Sequence, residues 1–198
     1  MPYHVGVTIA EFERITDEAH RHELDEGRLI VVPLNGVRHG MVQAAVLEAL
    51  DRAARMSKAG AVVGRCGFRL AADTVIASDV SFIRKERRAE LIEGWPEFAP
   101  DLAVEIISPN DNTARIQRRT GQYLAAGAAA VWLPDPDSLT ATVYEKPSSL
   151  RTLNADDLID GPICCPDSRS LSERCSNSRM LKSLWIGGVA QLARATVS

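Results

Sequence analysis

Nowhere in the chain do about 18 consecutive apolar residues occur, so no membrane-spanning helix is expected. The opening Met1-Pro2-Tyr3-His4-Val5-Gly6 has neither a basic stretch nor an apolar run, which speaks against a secretory leader and for a cytoplasmic protein. Basic charge is not in excess either. Lys and Arg number 23 against 26 Asp and Glu, for a net charge of −3, so no global positive field marks the chain as a constitutive nucleic-acid binder. Any DNA contact must come from a local patch. Cysteine is scarce: Cys66, Cys164, Cys165 and Cys175 lack both CxxC spacing and partnering histidines, which excludes a recognisable zinc site or disulfide framework. Aromatics amount to only 5%, but 45% hydrophobic and 25% charged residues keep the composition globular. At 198 residues there is room for one good core, so one domain with a tail is the expectation.

What the sequence does have is an alternation of helix and strand periods. Thr8 with Glu11 three residues on forms a capping box, and Ile9, Phe12 and Ile15 follow at helical spacing, predicting a short helix over residues 8–19. His22-Glu23-Leu24-Asp25, the turn at Glu26-Gly27 and a second strand rich in β-branched residues over 28–33 predict a hairpin. Val42, Val46, Ala49 and Ala53 mark the main helix over 38–57, ended by Gly60, and strands are predicted at 61–64, 66–70 and 78–83. Arg84-Lys85-Glu86-Arg87-Arg88 is the best local basic patch and reads as a solvated loop. The densest strand covers 101–107, a helix spans 112–126 before Gly127, and strands at 130–133 and 140–145 complete the body. The fold class is therefore α/β, with helices flanking a central mixed sheet.

Two acids stand out against this background. Glu105 lies in a strand that is otherwise apolar on both faces, where an isolated carboxylate costs several kcal/mol on the order seen for unpaired buried ions. A metal, a basic partner or a place at the open end of the strand must compensate it. Asp79 repeats the problem between Ser78 and Val80. Carboxylates meeting from adjacent strands hold Mg²⁺ or Mn²⁺, because hard cations want oxygen ligands and keep several waters.

The segments Glu23-Leu24-Asp25-Glu26-Gly27-Arg28-Leu29, Arg38-His39-Gly40, Gly67-Phe68-Arg69-Leu70, Ser78-Asp79-Val80-Ser81-Phe82, Asp101-Leu102-Ala103-Val104-Glu105-Ile106-Ile107 and Val131-Trp132-Leu133-Pro134-Asp135 carry a resemblance. In order and spacing the chain resembles the bacterial restriction-endonuclease family of the domain-of-unknown-function type expanded in cyanobacteria. That family is part of the PD-(D/E)xK nuclease superfamily, and the resemblance covers residues 8–161. It implies a restriction-endonuclease-like fold, DNA as substrate, phosphodiester hydrolysis with Mg²⁺ or Mn²⁺, and Asp79 and Glu105 as the metal-binding acids. It further implies that Glu23 adds to the metal shell or orients water, and that Arg119 stands where the family carries its lysine, since Ile107 occupies the superfamily's usual lysine position.

On a helical wheel Arg119 lies beside the stripe of Ile116, Thr120, Tyr123 and Leu124, while Arg115 and Arg118 point further out. Arginine keeps a positive charge but cannot shuttle protons near neutrality, which opens the alternative of a decayed nuclease that binds nucleic acid or a protein without cutting. His39 reads as a capping or packing histidine. Cutting both strands of DNA calls for a symmetric homodimer. Residues 162–198 differ in character from the body, and Cys164-Cys165-Pro166 replaces the final strand implied by the resemblance. The expectation is a frame shifted near Ile163 and a weakly ordered tail.

Overall fold

Glu26 and Gly27 both take positive φ, 51° and 73°, the requirement of the two-residue type I′ turn whose twist matches that of its flanking strands. The chain before and after it therefore folds back on itself as β1 (Arg21–Asp25) and β2 (Arg28–Val32), antiparallel, with Leu24 opposite Leu29. In the computed structural model the described residues are 6–15, 20–90, 94–109, 111–145, 149–154 and 157. The tail over 162–198 lies outside them.

Ahead of the hairpin the capping box forms as expected, with the Glu11 amide on Thr8 Oγ1 at 3.2 Å and the Glu11 carboxylate taking the Thr8 amide at 2.8 Å. The helix it starts, α1 (Ile9–Phe12), is a single turn and not the longer one expected. Next comes α2 (Val37–Ser57), whose buried Val42, Val46, Ala49 and Leu50 follow the predicted stripe. Its end is set by Lys58 in the left-handed conformation (φ 53°), not by Gly60.

Gly60 has another task. It opens β3 (Gly60–Gly64), which runs antiparallel to β6 (Val80–Arg84) with Gly60 opposite Arg84. A Cβ there would sit 2.0 Å from the Ile83 carbonyl oxygen and 2.7 Å from Phe82 Cε2, a backbone clash that no rotamer relieves. Gly60→Ala is expected to destabilise the fold by about 1–3 kcal/mol, read as a lowered urea midpoint; an unchanged midpoint would refute the packing.

Between β3 and β6 lie β4 (Gly67–Ala71) and β5 (Thr74–Ala77), the latter not expected from the sequence. They join the hairpin in a four-stranded sheet of order β2-β1-β5-β4. A six-stranded sheet holds the rest: β3 and β6, then β7 (Leu102–Val104), β8 (Ala130–Asp135), β9 (Thr140–Glu145) and β10 (Ser149–Asn154). Its one parallel pair is β7 with β8, bridged by α3 (Thr113–Ala125). The result is the mixed, helix-flanked α/β architecture expected, divided over two sheets. No helix among the described residues is long and apolar enough to cross a membrane.

Alternation along β7 decides which way Glu105 faces. Leu102, Val104 and Ile106 pack in the core under α2 with Val42, Val46, Leu50 and Phe82, whereas Ala103 belongs to the core under α3 with Tyr123, Val131 and Leu133. Odd positions thus face α3. The basic run after β6 enters a 3₁₀ turn over Lys85–Glu90, with Lys85 and Glu86 exposed as expected of a solvated segment. The Arg84 amide donates to Asp101 Oδ2 at 2.9 Å, and the Arg87 guanidinium lies 3.8 Å from the Phe98 ring centroid and donates to the Ala99 carbonyl. Arg84 and Arg87 of that run are thus bound to their own domain.

Candidate active site

The chain leaves the four-stranded sheet at Ala77 and enters the six-stranded one at Val80, so Asp79 occupies the bend between them and not the strand predicted for it. A bend acid has no ladder to fix it, and its surroundings do so instead. The Ile106 amide donates to Asp79 Oδ2 at 2.9 Å, and His39 Nε2 is 3.1 Å from the same oxygen. Gln43, one turn after His39 on α2, donates to the Asp79 carbonyl at 2.9 Å. The Asn35 amide nitrogen lies 2.8 Å from His39 Nδ1 and 3.2 Å from its Nε2; where Nδ1 is the acceptor, Nε2 carries the N–H that faces Asp79. His39, expected to cap or pack, is buried and also contacts the Asp79 carboxylate.

Glu105 follows the end of β7 and points, as the alternation requires, toward α3. Its Oε1 accepts from Arg119 Nε at 3.1 Å, Arg119 Nη2 at 2.7 Å and the Tyr123 hydroxyl at 3.1 Å. The same guanidinium donates to Glu23 Oε2 at 2.5 Å and to the Ala77 carbonyl at 2.9 Å. Arg119 is only 8% exposed and Glu23 5%, so one buried cation spans two carboxylates with most of its donors used. Burial pushes the Glu105 carboxyl up to about 7 against the pull of Arg119, with Asp79 and Glu23 adding repulsion. Burial also works against the charge on Arg119, but Glu105, Tyr123 and Glu23 outweigh it and hold the guanidinium protonated well above its ordinary value. Burial and the neighbouring Glu105 raise Tyr123 well above the usual phenol range, so it stays a hydrogen-bond donor.

Glu23 sits on β1 two residues before Asp25, hence on the same face, and α3 grips both. Arg118 donates to Asp25 Oδ2 at 2.5 Å and Gln122 to its Oδ1 at 2.8 Å. Arg115, expected to point outward, comes within 3.5 Å of Glu23 Oε2 and lines the cleft while staying partly exposed. Its position follows from α3 crossing over β1, which no wheel drawn from α3 alone contains.

Part of this network lines one open cleft of about 100 Å³. Glu23, Asp79, Glu105 and Asp111 face it, together with Arg21, Arg65, Arg115 and Arg119. Which of the acids could take a cation follows from the oxygens left over. Both Glu23 oxygens are committed, Oε1 to the Ala77 amide at 3.2 Å and Oε2 to Arg119. Asp79 Oδ1 has only a 3.6 Å contact with Arg65, and Glu105 Oε2 makes no hydrogen bond among the described residues. Two carboxylates with a spare oxygen each, in one cleft, fit a hard divalent ion that keeps much of its water. They do not amount to a protein cage, and among the described residues no group of three His, Cys, Asp or Glu side chains could hold a metal.

Residues 9–172 match the model of the Uma2 family, described as "Putative restriction endonuclease". The chain belongs to the Uma2 family. Among solved structures it is similar to one described as a putative nuclease belonging to DUF820 from Anabaena variabilis ATCC 29413, with a TM-score of 0.73 and 19% identity over 94% of this chain and 99% of that one. That likeness shows the nuclease-like fold. A type IIG restriction endonuclease, BpuSI, aligns at a TM-score of 0.37 and 13% identity over 81% of this chain and 17% of that one. No curated protein matches the sequence.

All four site residues expected from the sequence, Asp79, Glu105, Glu23 and Arg119, meet in the cleft of this Uma2 domain. Those missed are Arg65, Asn35, Arg21 and Tyr123. Tyr123 carried a signal, since it lies four residues after Arg119 on the same helix face. Arg65 carried none: it sits in a turn whose direction depends on β3 and β6 pairing.

Proposed function

We propose that this Uma2-family chain is a divalent-metal-dependent endonuclease that hydrolyses DNA phosphodiester bonds. The observation that carries it is the convergence of Asp79 and Glu105, each with a spare oxygen, beside a buried Arg119 in one cleft. Asp79 and Glu105 would hold Mg²⁺ or Mn²⁺. A bound ion orients the phosphate, lowers the pKa of attacking water and offsets charge on the leaving oxygen.

The chain's own groups divide the remaining work. His39 and the Ile106 amide fix Asp79, while Tyr123 and Arg119 fix Glu105 through one oxygen and leave the other facing the cleft. Glu23 holds the Arg119 fork rather than a metal, because both its oxygens are spent. The cleft arginines supply positive charge for the phosphate backbone. Breaking both strands would take two copies related by a twofold axis.

Supercoiled-plasmid nicking tests this reading. Wild type should form open circles with Mn²⁺ or Mg²⁺ and stop in excess chelator. Glu105→Gln should lose at least about tenfold in rate, as removal of even a ligand's own hydrogen-bond partner can do. Equal nicking in every sample would mean a contaminant or no nuclease. One observation favours a second reading, a nuclease fold that binds without cutting: Arg119 already supplies a cation between Glu23 and Glu105. Duplex binding in chelator with no nicking under any metal would select it.

A further inference from the structure

Two of the cleft arginines, Arg21 and Arg65, carry observations that point to where a phosphate would sit. Arg21 opens β1, and its Nη1 is a buried nitrogen without a hydrogen-bond partner among the described residues. A buried N–H with no acceptor carries a desolvation penalty that a bound ligand could relieve. Arg65 lies in the turn between β3 and β4 with φ of 48°, the left-handed region that long side chains rarely adopt. Its amide donates to the Asp79 carbonyl at 3.2 Å and its Nε to Gln43 Oε1 at 3.2 Å. The strained turn thereby delivers Nη2 to 3.6 Å from Asp79 Oδ1, beyond hydrogen-bond distance. Backbone strain held in place by its surroundings is a pointer to function.

The two guanidinium groups are also electrostatic neighbours. Burial, and then Arg65, draws Arg21 below its ordinary value, and Glu23 and Asp79 offset this only in part. Two like charges at an open cleft, one with an orphan donor and one held short of its carboxylate, call for an anion between them. A phosphodiester fits best, because its two non-bridging oxygens can each meet a guanidinium fork and its phosphorus then lies beside Asp79 and Glu105.

We propose that Arg21 and Arg65 form a clamp for one backbone phosphate of a DNA strand, seating it over the cleft between Asp79 and Glu105. The clamp rests on the nuclease-fold reading for the polymer it holds, but not on cleavage. Anisotropy of a fluorescein-labelled duplex in excess chelator, across a series of KCl concentrations, reads binding alone. Arg21→Gln should weaken binding by about five- to tenfold whatever the duplex sequence, and lower the slope of log affinity against log salt by about one.

Arg65→Asn should do the same while keeping the fold, since asparagine tolerates left-handed backbone. Arg21→Lys should restore the slope but only part of the affinity, because an ammonium keeps the charge and loses the fork. Inorganic phosphate, added at constant ionic strength, separates a free-phosphate site from a backbone site. Displacement of duplex only at phosphate concentrations far above that of the protein is expected; displacement near the protein concentration would overturn the DNA assignment.

Variants with wild-type thermal unfolding, affinity and slope would also overturn the clamp, as would a wild type that binds no duplex. Nicking is scored separately. Absent nicking with intact clamp effects removes catalysis and keeps the clamp, and intact nicking without them does the reverse.

Discussion

Replacing Arg119 by methionine is expected to cost about 3–5 kcal/mol of folding stability, the range for removing one partner of a buried ion pair. Methionine matches the aliphatic stem of arginine but carries no charge, so packing around α3 is largely kept and the loss is electrostatic. Glu23, 5% exposed, would keep only the Ala77 amide and a 3.5 Å contact with Arg115. Glu105 would keep only the Tyr123 hydroxyl, and the Ala77 carbonyl would lose its 2.9 Å donor. Arg119 is also what restrains the rise of the Glu105 carboxyl. Without it that carboxyl holds a proton to higher pH, so the folded form binds protons the unfolded chain releases. Wild type and variant lose stability in parallel from the ordinary glutamate value up to about 7, and the deficit widens only above it, where wild type has released the proton and the variant still holds it.

Urea unfolding of wild type, Arg119→Met, Glu23→Gln and the double variant measures this. Glu23→Gln in the Arg119→Met background should return part of the loss, with a coupling of roughly 0.5–3 kcal/mol for groups in direct contact. A single variant that loses under about 1 kcal/mol would mean the three-group pairing is not held in solution.

The contrast between Arg119 and its neighbours shows how far the sequence could be read. The stripe of Ile116, Thr120 and Tyr123 placed Arg119 at the border of the buried face, and there it lies, 8% exposed. Arg118 sits on the outer side, 45% exposed, but still reaches Asp25. Helical period fixes direction around the axis and says nothing about what crosses above, so Arg115 could not be assigned to the cleft.

The hairpin and α2 were legible for the same reason, because turn chemistry at Glu26-Gly27 and the 3.6-residue period act locally. What was not legible depends on pairing between distant segments. β5 separates from β4 only because the turn at Ala72-Asp73 folds them together, and its Val75 reaches β1 opposite Leu24. Asp79 reads as a strand residue from its neighbours, yet the chain changes sheets there. An acid at a sheet change can turn toward the open cleft without displacing core side chains. The sequence reading singled out the residue that lines the cleft but gave it a strand where the backbone bends.

Arg119→Lys is expected to raise metal-dependent nicking by about a hundredfold, the lower range for a well-placed proton-transfer group. The guanidinium grips Glu105 Oε1 through both Nε and Nη2 while spending Nη1 on Glu23. It cannot give up a proton near neutrality, so it serves as a fixed clamp. An ammonium in the same place keeps one positive charge between the two acids and retains a donor for each. Its pKa can fall when it is buried, which lets it pass a proton to or from water at the phosphate. Its looser hold on Glu105 also leaves that carboxylate freer to share an ion with Asp79, so tighter Mn²⁺ binding by calorimetry should accompany the gain. Adding Glu105→Gln should silence both effects. If Arg119→Lys instead loses nicking while its thermal unfolding is unchanged, the planar fork itself is a working part of this cleft. In that case Glu23, which holds the fork, governs activity by positioning and not by binding metal.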